Sequence, residues 1–114
     1  MQADFTVMCL CAQWCNNCTD YAPRFHAVAS AFPQVRFRWI DIEDEAEALD
    51  PIDIENFPTV LIAREGKAVF LGAITPHPQT LARLIENALQ GGTVALERQS
   101  AAQQALDKLL ALEN

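Results

Sequence analysis

Residues 5–18 read FTVMCLCAQWCNNC, and the order of the patterns within them decides the fold prediction. The stretch from Phe5 to Cys11 is short, apolar and strand-prone, as is typical of a strand buried on both faces. A C-x-x-C motif, Cys15 to Cys18, follows at the point where a helical pattern begins. A buried strand that runs directly into a helix predicts the first half of a βαβ unit.

Strand and helix patterns alternate along the rest of the chain. The predicted helices cover residues 16–31 (with Pro23 inside), 43–49 and 76–89, and the predicted strands cover residues 35–42, 58–63 and 68–72, with a hairpin turn at 65–67. The order βαβαββα predicts an α/β fold with a mixed four-stranded sheet and helices on both faces.

The C-terminal segment has its own helical pattern. Its apolar residues, Ala102, Leu106, Leu109 and Leu110, share one helical face, so residues 93–114 are predicted to form an extra amphipathic helix. With 114 residues, of which 51% are hydrophobic, the chain can bury one core. We expect a single domain over residues 1–92, with the helix of residues 93–114 packed on it.

The charge and the N-terminus limit the classes of function. A formal net charge of -7 argues against nucleic acid and anionic membrane as partners, because both attract basic surfaces. Residues 1–4 carry no basic cluster, and no apolar run reaches the length of a signal peptide or a membrane span. The pattern favours a cytoplasmic location, where a C-x-x-C motif is more often catalytic or metal-binding than a structural disulfide.

The position of the C-x-x-C motif predicts redox chemistry. Cys15 comes at the start of a helix, where unpaired backbone N–H groups and the helix dipole stabilise a thiolate. Cys18, one turn later, should be less exposed and close enough to attack a mixed disulfide formed on Cys15. Cys15 is therefore the predicted nucleophile, Cys18 the resolving thiol, and Cys15–Cys18 the redox disulfide.

Two further cysteines allow a second interpretation. Cys9 and Cys11 share one face of the first strand, and together with the C-x-x-C pair they could suggest a zinc or iron-sulfur site. We expect that strand sulfurs packed in a core and helix-terminal sulfurs do not converge at about 2.3 Å from one metal ion, so the favoured prediction is two buried, inert thiols. The prediction includes neither metal nor organic cofactor, and His26 and His77 are assigned surface or packing roles.

Several separated motifs resemble those of the thioredoxin family in register. They cover roughly residues 5–90 and are Trp14-Cys15-Asn16-Asn17-Cys18 for its W-C-x-x-C, Ala22-Pro23 for its A-P, Phe57-Pro58-Thr59 for its I-P-T, Gly66 for its hairpin glycine and Leu71-Gly72-Ala73 for its V-G-A. The resemblance implies a thioredoxin-like fold and a cis peptide bond before Pro58.

The same resemblance implies a function. It predicts a monomeric protein-disulfide reductase that takes electrons from a reductase and passes them to protein disulfides, as part of cellular electron transport and redox homeostasis. The groove that docks the substrate segment would be bordered by Trp14, Phe57, Pro58, Gly72 and Ala73. The alternative is a thioredoxin-fold binding or chaperone-like module, in which this groove and the helix after Thr93 hold a partner and the cysteine pair is vestigial.

The sequence departs from the family at three places. The loop dipeptide is Asn16-Asn17 instead of Gly-Pro, which predicts a shifted redox potential. Cys9 stands where thioredoxins carry a buried Asp, and Trp39 replaces its Lys partner, which predicts either slower resolution or a proton path through water. Asp20 and Glu43 are candidate substitutes for that Asp, although each also fits plain surface charge. The family's first strand and helix have no counterpart, so the predicted core is minimal.

Overall fold

The computed structural model describes residues 5–92 and 94–112. The predictions for residues 1–4, 93, 113 and 114 lie outside these residues. The elements are β1 (Phe5–Cys11), α1 (Asn16–Ala31), β2 (Arg36–Asp41), α2 (Ala46–Leu49), β3 (Thr59–Arg64), β4 (Lys67–Ala73), α3 (Pro78–Leu89) and α4 (Ala101–Ala111). This order confirms the predicted βαβαββα core with an extra C-terminal helix.

The four strands form one mixed sheet in the order β2-β1-β3-β4. β1 pairs with β2 in parallel and with β3 antiparallel, and β3 pairs with β4 antiparallel. The β3–β4 connection is a tight turn in which Glu65 and Gly66 have φ angles of 52° and 79°. Two consecutive positive φ angles match the right-handed twist of a hairpin, which explains the glycine at the second position.

The central strand β1 divides the hydrophobic core into two layers. All seven of its residues are buried, and alternate side chains point to opposite faces of the sheet. Cys9 and Cys11 belong to the core layer that contains buried residues of α1 and α3. Met8 and Leu10 belong to the opposite layer, with buried residues of α2 and α4. The strand therefore presents both of its cysteines to the helix that carries the C-x-x-C motif.

The C-terminal helix is shorter than predicted. It begins at Ala101 and not near residue 93, because the Ser100 side chain caps it by accepting a hydrogen bond from the Gln103 amide at 3.2 Å. The preceding segment runs along β4, where the Leu96 amide donates to the Ala68 carbonyl at 2.8 Å. Across the part of the chain that the structure describes, no helix is long and apolar enough to cross a membrane.

Candidate active site

Cys15 lies at the N-cap of α1, directly before the first helical residue. Its amide donates to the Ala12 carbonyl at 3.1 Å, which closes the turn between β1 and α1. Its carbonyl accepts from the Cys18 and Thr19 amides, both at 3.2 Å. The Cys15 thiol is free and half-buried, so the structure places it at the helix start, as the sequence predicts.

Cys18 is bonded to Cys11 and not to Cys15. The Cys11–Cys18 disulfide joins the end of β1 to the first turn of α1, with the two Cα atoms 5.8 Å apart. Both residues are 1% exposed. The predicted Cys15–Cys18 disulfide is thus not the one present in this structure, where Cys15 is a free thiol.

The prediction that Cys11 is an inert core thiol is wrong, because its sulfur is bonded to that of Cys18. The tight turn from Ala12 to Cys15 brings the first turn of α1 back over the end of β1. Cys18 then faces the sheet, at a Cα separation inside the usual disulfide range of about 4.4–6.8 Å. A strand sulfur and a helix sulfur therefore do converge at this junction.

Cys9 extends this contact into the core. Its Sγ lies 3.7 Å from the Cys11 Sγ, and since Cys11 is in a disulfide, Cys9 holds the proton and donates. Burial raises the pKa of the Cys9 thiol to about 12, so the group remains protonated at neutral pH. Cys9, Cys11 and Cys18 together form a buried sulfur row beneath the half-buried Cys15.

Tyr21 lies beside this row, one turn after Cys18 on the same face of α1. It is fully buried, and within residues 5–92 and 94–112 its hydroxyl has no hydrogen-bond partner. Burial and the neighbouring Cys9 both raise the pKa of the Tyr21 hydroxyl above its ordinary value. The surroundings of the sulfur row therefore disfavour negative charge.

The residues predicted to border a groove come from three segments. Trp14 is 67% exposed, and its ring lies edge-on to the Phe57 ring with centroids 5.7 Å apart. This contact brings the C-x-x-C loop and the Phe57-Pro58 segment together. The Phe57–Pro58 peptide bond is cis, and Pro58 itself is buried.

The other two predicted groove residues lie on β4. Ala73 is opposite Thr59 in the β3–β4 ladder, and Gly72 is opposite Val60. The Ile74 amide donates to the Pro58 carbonyl at 3.0 Å, which extends the pairing past the end of β4. A Cβ atom at Gly72 would come 3.2 Å from the Phe70 ring, so glycine leaves space for that ring. The structure thus places Gly72 and Ala73 next to the Pro58 segment.

Neither candidate proton acceptor is a buried carboxylate. Asp20 and Glu43 are both exposed. Trp39 is half-buried, lies opposite Cys9 in the β1–β2 ladder and contacts the Phe25 ring at 5.6 Å between centroids. An uncharged thiol and an indole therefore occupy positions for which the family resemblance implies a carboxylate and an amine.

Both histidines are exposed. His26 is exposed beside the Phe25 ring, and His77 is the exposed N-cap of α3. Over the described ranges 5–92 and 94–112, no group of three or more His, Cys, Asp or Glu side chains is arranged to hold a metal ion.

Two residues of the site were missed by the sequence reasoning. Cys11 could have been identified from its position, because a strand-terminal side chain on the helix-facing side lies nearest to the helix that follows. Tyr21 follows Cys18 at i+3, a spacing that places both on one face of a helix. What the arrangement offers chemically is a half-exposed thiol next to a buried disulfide that contains the second cysteine of its own motif.

Comparison with known proteins agrees with this geometry. The family model described as Thioredoxin matches residues 1–87. The structure is similar to that of a thioredoxin from Trypanosoma brucei brucei, with 26% identity, a TM-score of 0.68 and 76% of each chain covered. It is also similar to a Fasciola hepatica thioredoxin, with 27% identity, a TM-score of 0.67 and coverage of 74% of this chain and 80% of that one.

Curated sequences give the same relationship. A thioredoxin from Geodia cydonium is 33% identical over 66 residues, which make up 58% of this chain and 58% of the relative. The chain spans about half the length of the curated relatives it matches.

Proposed function

The chain belongs to the thioredoxin family, and from this membership we propose that it is a thiol-disulfide oxidoreductase that reduces protein disulfides through Cys15 and Cys18. The observation that carries the proposal is the free, half-buried Cys15 thiol at the N-cap of α1. A thiol in this position meets the N–H groups of the first helical turn and the positive end of the helix dipole. Both stabilise the thiolate, which is the reactive form.

The reaction begins with the cysteines reduced. The Cys15 thiolate attacks one sulfur of a target disulfide, forming a mixed disulfide and releasing the first target thiolate. The Cys18 thiolate then attacks the Cys15 sulfur, which releases the second target thiolate and leaves a Cys15–Cys18 disulfide. Two electrons pass from the protein to the target, so a reductase must return two electrons before the next cycle.

The substrate segment is proposed to dock beside Cys15, on the surface made by Trp14, Phe57, Pro58, Gly72 and Ala73. The ring contact between Trp14 and Phe57 and the β4 pairing beside Pro58 support a continuous surface. An extended peptide is the natural occupant, since strand-like segments pair with exposed backbone groups. The proposed targets are therefore exposed disulfides in extended segments of other proteins.

The cellular setting follows from the same chemistry. A protein that donates electrons to disulfides needs a reductase and a compartment that keeps its own thiols reduced. We therefore propose a monomeric cytoplasmic protein that takes part in electron transport to protein disulfides. Cell fractionation followed by detection of the protein, with its thiols alkylated at lysis, tests this location.

Reduction of insulin disulfides by dithiothreitol-recycled protein tests the activity. Wild type should accelerate insulin precipitation, and Cys15→Ser should remove at least about 90% of that acceleration, because no other half-exposed thiol starts the exchange. Ser30→Ala is the matched control, since Ser30 lies on the same helix about three turns past Cys18, is exposed, and donates its hydroxyl to the His26 carbonyl. Wild type without any acceleration would contradict the proposal and favour the binding-module alternative.

A further inference from the structure

Cys18 has two possible disulfide partners. It is bonded to Cys11 across the junction of β1 and α1, and Cys15 lies three residues before it at the start of the same helix. The C-x-x-C spacing also brings the Cys15 and Cys18 sulfurs within bonding reach. A sulfur in a disulfide bonds to only one partner, so the two pairings exclude each other.

The two pairings differ in what they expose. In the Cys11–Cys18 form, both bonded residues are 1% exposed and the free Cys15 is half-buried. In a Cys15–Cys18 form, the remaining thiols, Cys9 and Cys11, would both be buried. The Cys11–Cys18 form therefore keeps a half-buried free thiol while its disulfide is enclosed in the core. The Cys15–Cys18 form would have no free thiol that is even half-exposed.

We propose that Cys11 is a third redox cysteine, which takes Cys18 from Cys15 after each turnover and so frees Cys15 while the protein is still oxidised. The Cys11 sulfur attacks the Cys18 sulfur of the Cys15–Cys18 disulfide and gives up its proton as the new bond forms. The Cys11–Cys18 bond forms, the Cys15–Cys18 bond breaks, and the electron pair leaves on the Cys15 sulfur. The proton that Cys11 loses balances the one that Cys15 can take up.

This step needs neither oxidant nor reductant, because one disulfide and one thiol are present before and after it. The inference rests on the proposed function, which supplies the Cys15–Cys18 disulfide. Cys9 does not enter the exchange, although its Sγ is 3.7 Å from that of Cys11 and its S–H donates to the bonded sulfur.

The exchange changes what the oxidised protein can do. With Cys18 held by Cys11, the free Cys15 can still attack a second disulfide, from a protein or from glutathione disulfide. Cys18 cannot resolve the mixed disulfide that results, since its sulfur is already bonded. The oxidised protein therefore holds its partner covalently until an external thiol releases it, which gives Cys15 the behaviour of a single-cysteine site.

Pulse labelling tests the location of the disulfide. Fully reduced protein is oxidised with one equivalent of diamide and exposed briefly to iodoacetamide under native conditions. After denaturation, chymotrypsin cleaves after Trp14 and separates Cys11 from Cys15 and Cys18. We expect about one label per chain, on Cys15, and a disulfide that links the peptides on the two sides of Trp14.

Two variants sharpen the result. Cys11→Ala should lose the pulse label, because the only disulfide left for Cys18 consumes Cys15, whereas Cys9→Ala, the matched buried control, should keep both label and linkage. Wild type that shows no pulse label and a disulfide within the Cys15–Cys18 peptide would overturn the proposal, whether or not Cys11→Ala folds.

The outcome is separable from the proposed function. Diamide supplies the oxidation, so the labelling result does not depend on turnover of a protein substrate. Loss of insulin reduction with an intact Cys11–Cys18 linkage would contradict only the proposed function. Normal insulin reduction with a Cys15–Cys18 linkage in oxidised wild type would contradict only the exchange.

Discussion

Cys9 and Tyr21 are two buried titratable residues on neighbouring elements, and neither carries a charge at neutral pH. Burial holds the pKa of Cys9 near 12. Burial also raises the pKa of Tyr21, and the neighbouring Cys9 raises it further. Cys9 occupies the position at which the family resemblance implies a buried carboxylate. A thiol with so high a pKa already carries its proton at neutral pH, so it cannot accept the proton of Cys18. This is the physical basis for expecting slow resolution.

The raised pKa of Cys9 makes the stability of the protein depend on alkaline pH. Unfolding returns the thiol to its ordinary value of 9.0, so above that pH the unfolded chain releases the proton that the folded chain keeps. The stabilisation is therefore complete below about pH 9 and is lost as the pH rises towards about 12.

Urea unfolding at about pH 8 and about pH 10.5 measures this effect. Between the two pH values, the free energy of unfolding of wild type should fall by about 2 kcal/mol more than that of Cys9→Ala. The oxidation state of the other cysteines is kept the same in both proteins. Equal losses in wild type and variant would show that the Cys9 thiol titrates in the folded state near its ordinary pKa.

At this scale the sequence predicted that Cys15 lies at the start of α1 but not that Cys18 pairs with Cys11. The C-x-x-C spacing after a strand was enough to place Cys15 at a helix start, since both features are local. The Cys11–Cys18 contact depends on how the three residues after β1 turn the chain, and the alternation of strand residues does not contain that information. Alternation did predict correctly that Cys9 and Cys11 share one face.

The α4 helix is held to the β3–β4 hairpin by one buried polar side chain. The Gln103 side chain accepts from the Ala68 amide at 2.7 Å and donates to the Gly66 carbonyl at 3.0 Å. Its amide nitrogen also donates to the Asp107 carboxylate at 2.9 Å. Buried Leu106 and Leu109 on the same helix supply the apolar contact.

Gln103→Ala should lower the free energy of unfolding by about 2–4 kcal/mol, because the substitution leaves the buried Ala68 amide without a partner. Gln104→Ala is the matched control on the same helix. Its exposed side chain donates to the Gln99 carbonyl, so the loss in the free energy of unfolding should stay below about 1 kcal/mol. Similar urea midpoints for the two variants would contradict this role for Gln103.

The boundaries of the elements show where local patterns are sufficient. The apolar spacing predicts the C-terminal helix but does not mark where it begins. The predicted start at residue 93 is therefore too early. Ser100 marks the true start through its side chain, three residues before Gln103, in the arrangement of a capped N-terminus. The cap signal is present in the sequence, and weighing it would have corrected the boundary.

On the scale of the whole molecule, the cysteines and the C-terminal helix lie on opposite faces of the mixed sheet. The Cα radius of gyration is 13.1 Å, about the value expected for one compact domain of this length. α4 contacts α2, β3 and β4, whereas α1 packs with α3 on the other face. We propose that α4 is an integral part of the same domain and closes the face of the sheet that does not carry the cysteines.

The strand order explains why fold prediction succeeded where disulfide prediction did not. Each strand and helix is specified by hydrophobic periodicity and by turn residues, and only a few topologies place the other three strands and the four helices around a buried β1. Disulfide pairing depends on the angstrom-level approach of two side chains at one junction, which a pattern of residue types does not encode.

The roles proposed for the two motif cysteines are attack on a target disulfide by Cys15 and resolution of the product by Cys18. Mixing the reduced Cys18→Ser variant with one equivalent of a peptide disulfide, and mapping the acid-quenched adduct by mass spectrometry, tests both roles. We expect a stable mixed disulfide between the peptide and Cys15, which forms only transiently in wild type and is absent from Cys15→Ser. A peptide bonded to Cys9 or Cys11, or no adduct with Cys15 in the Cys18→Ser variant, would contradict the roles proposed for Cys15 and Cys18.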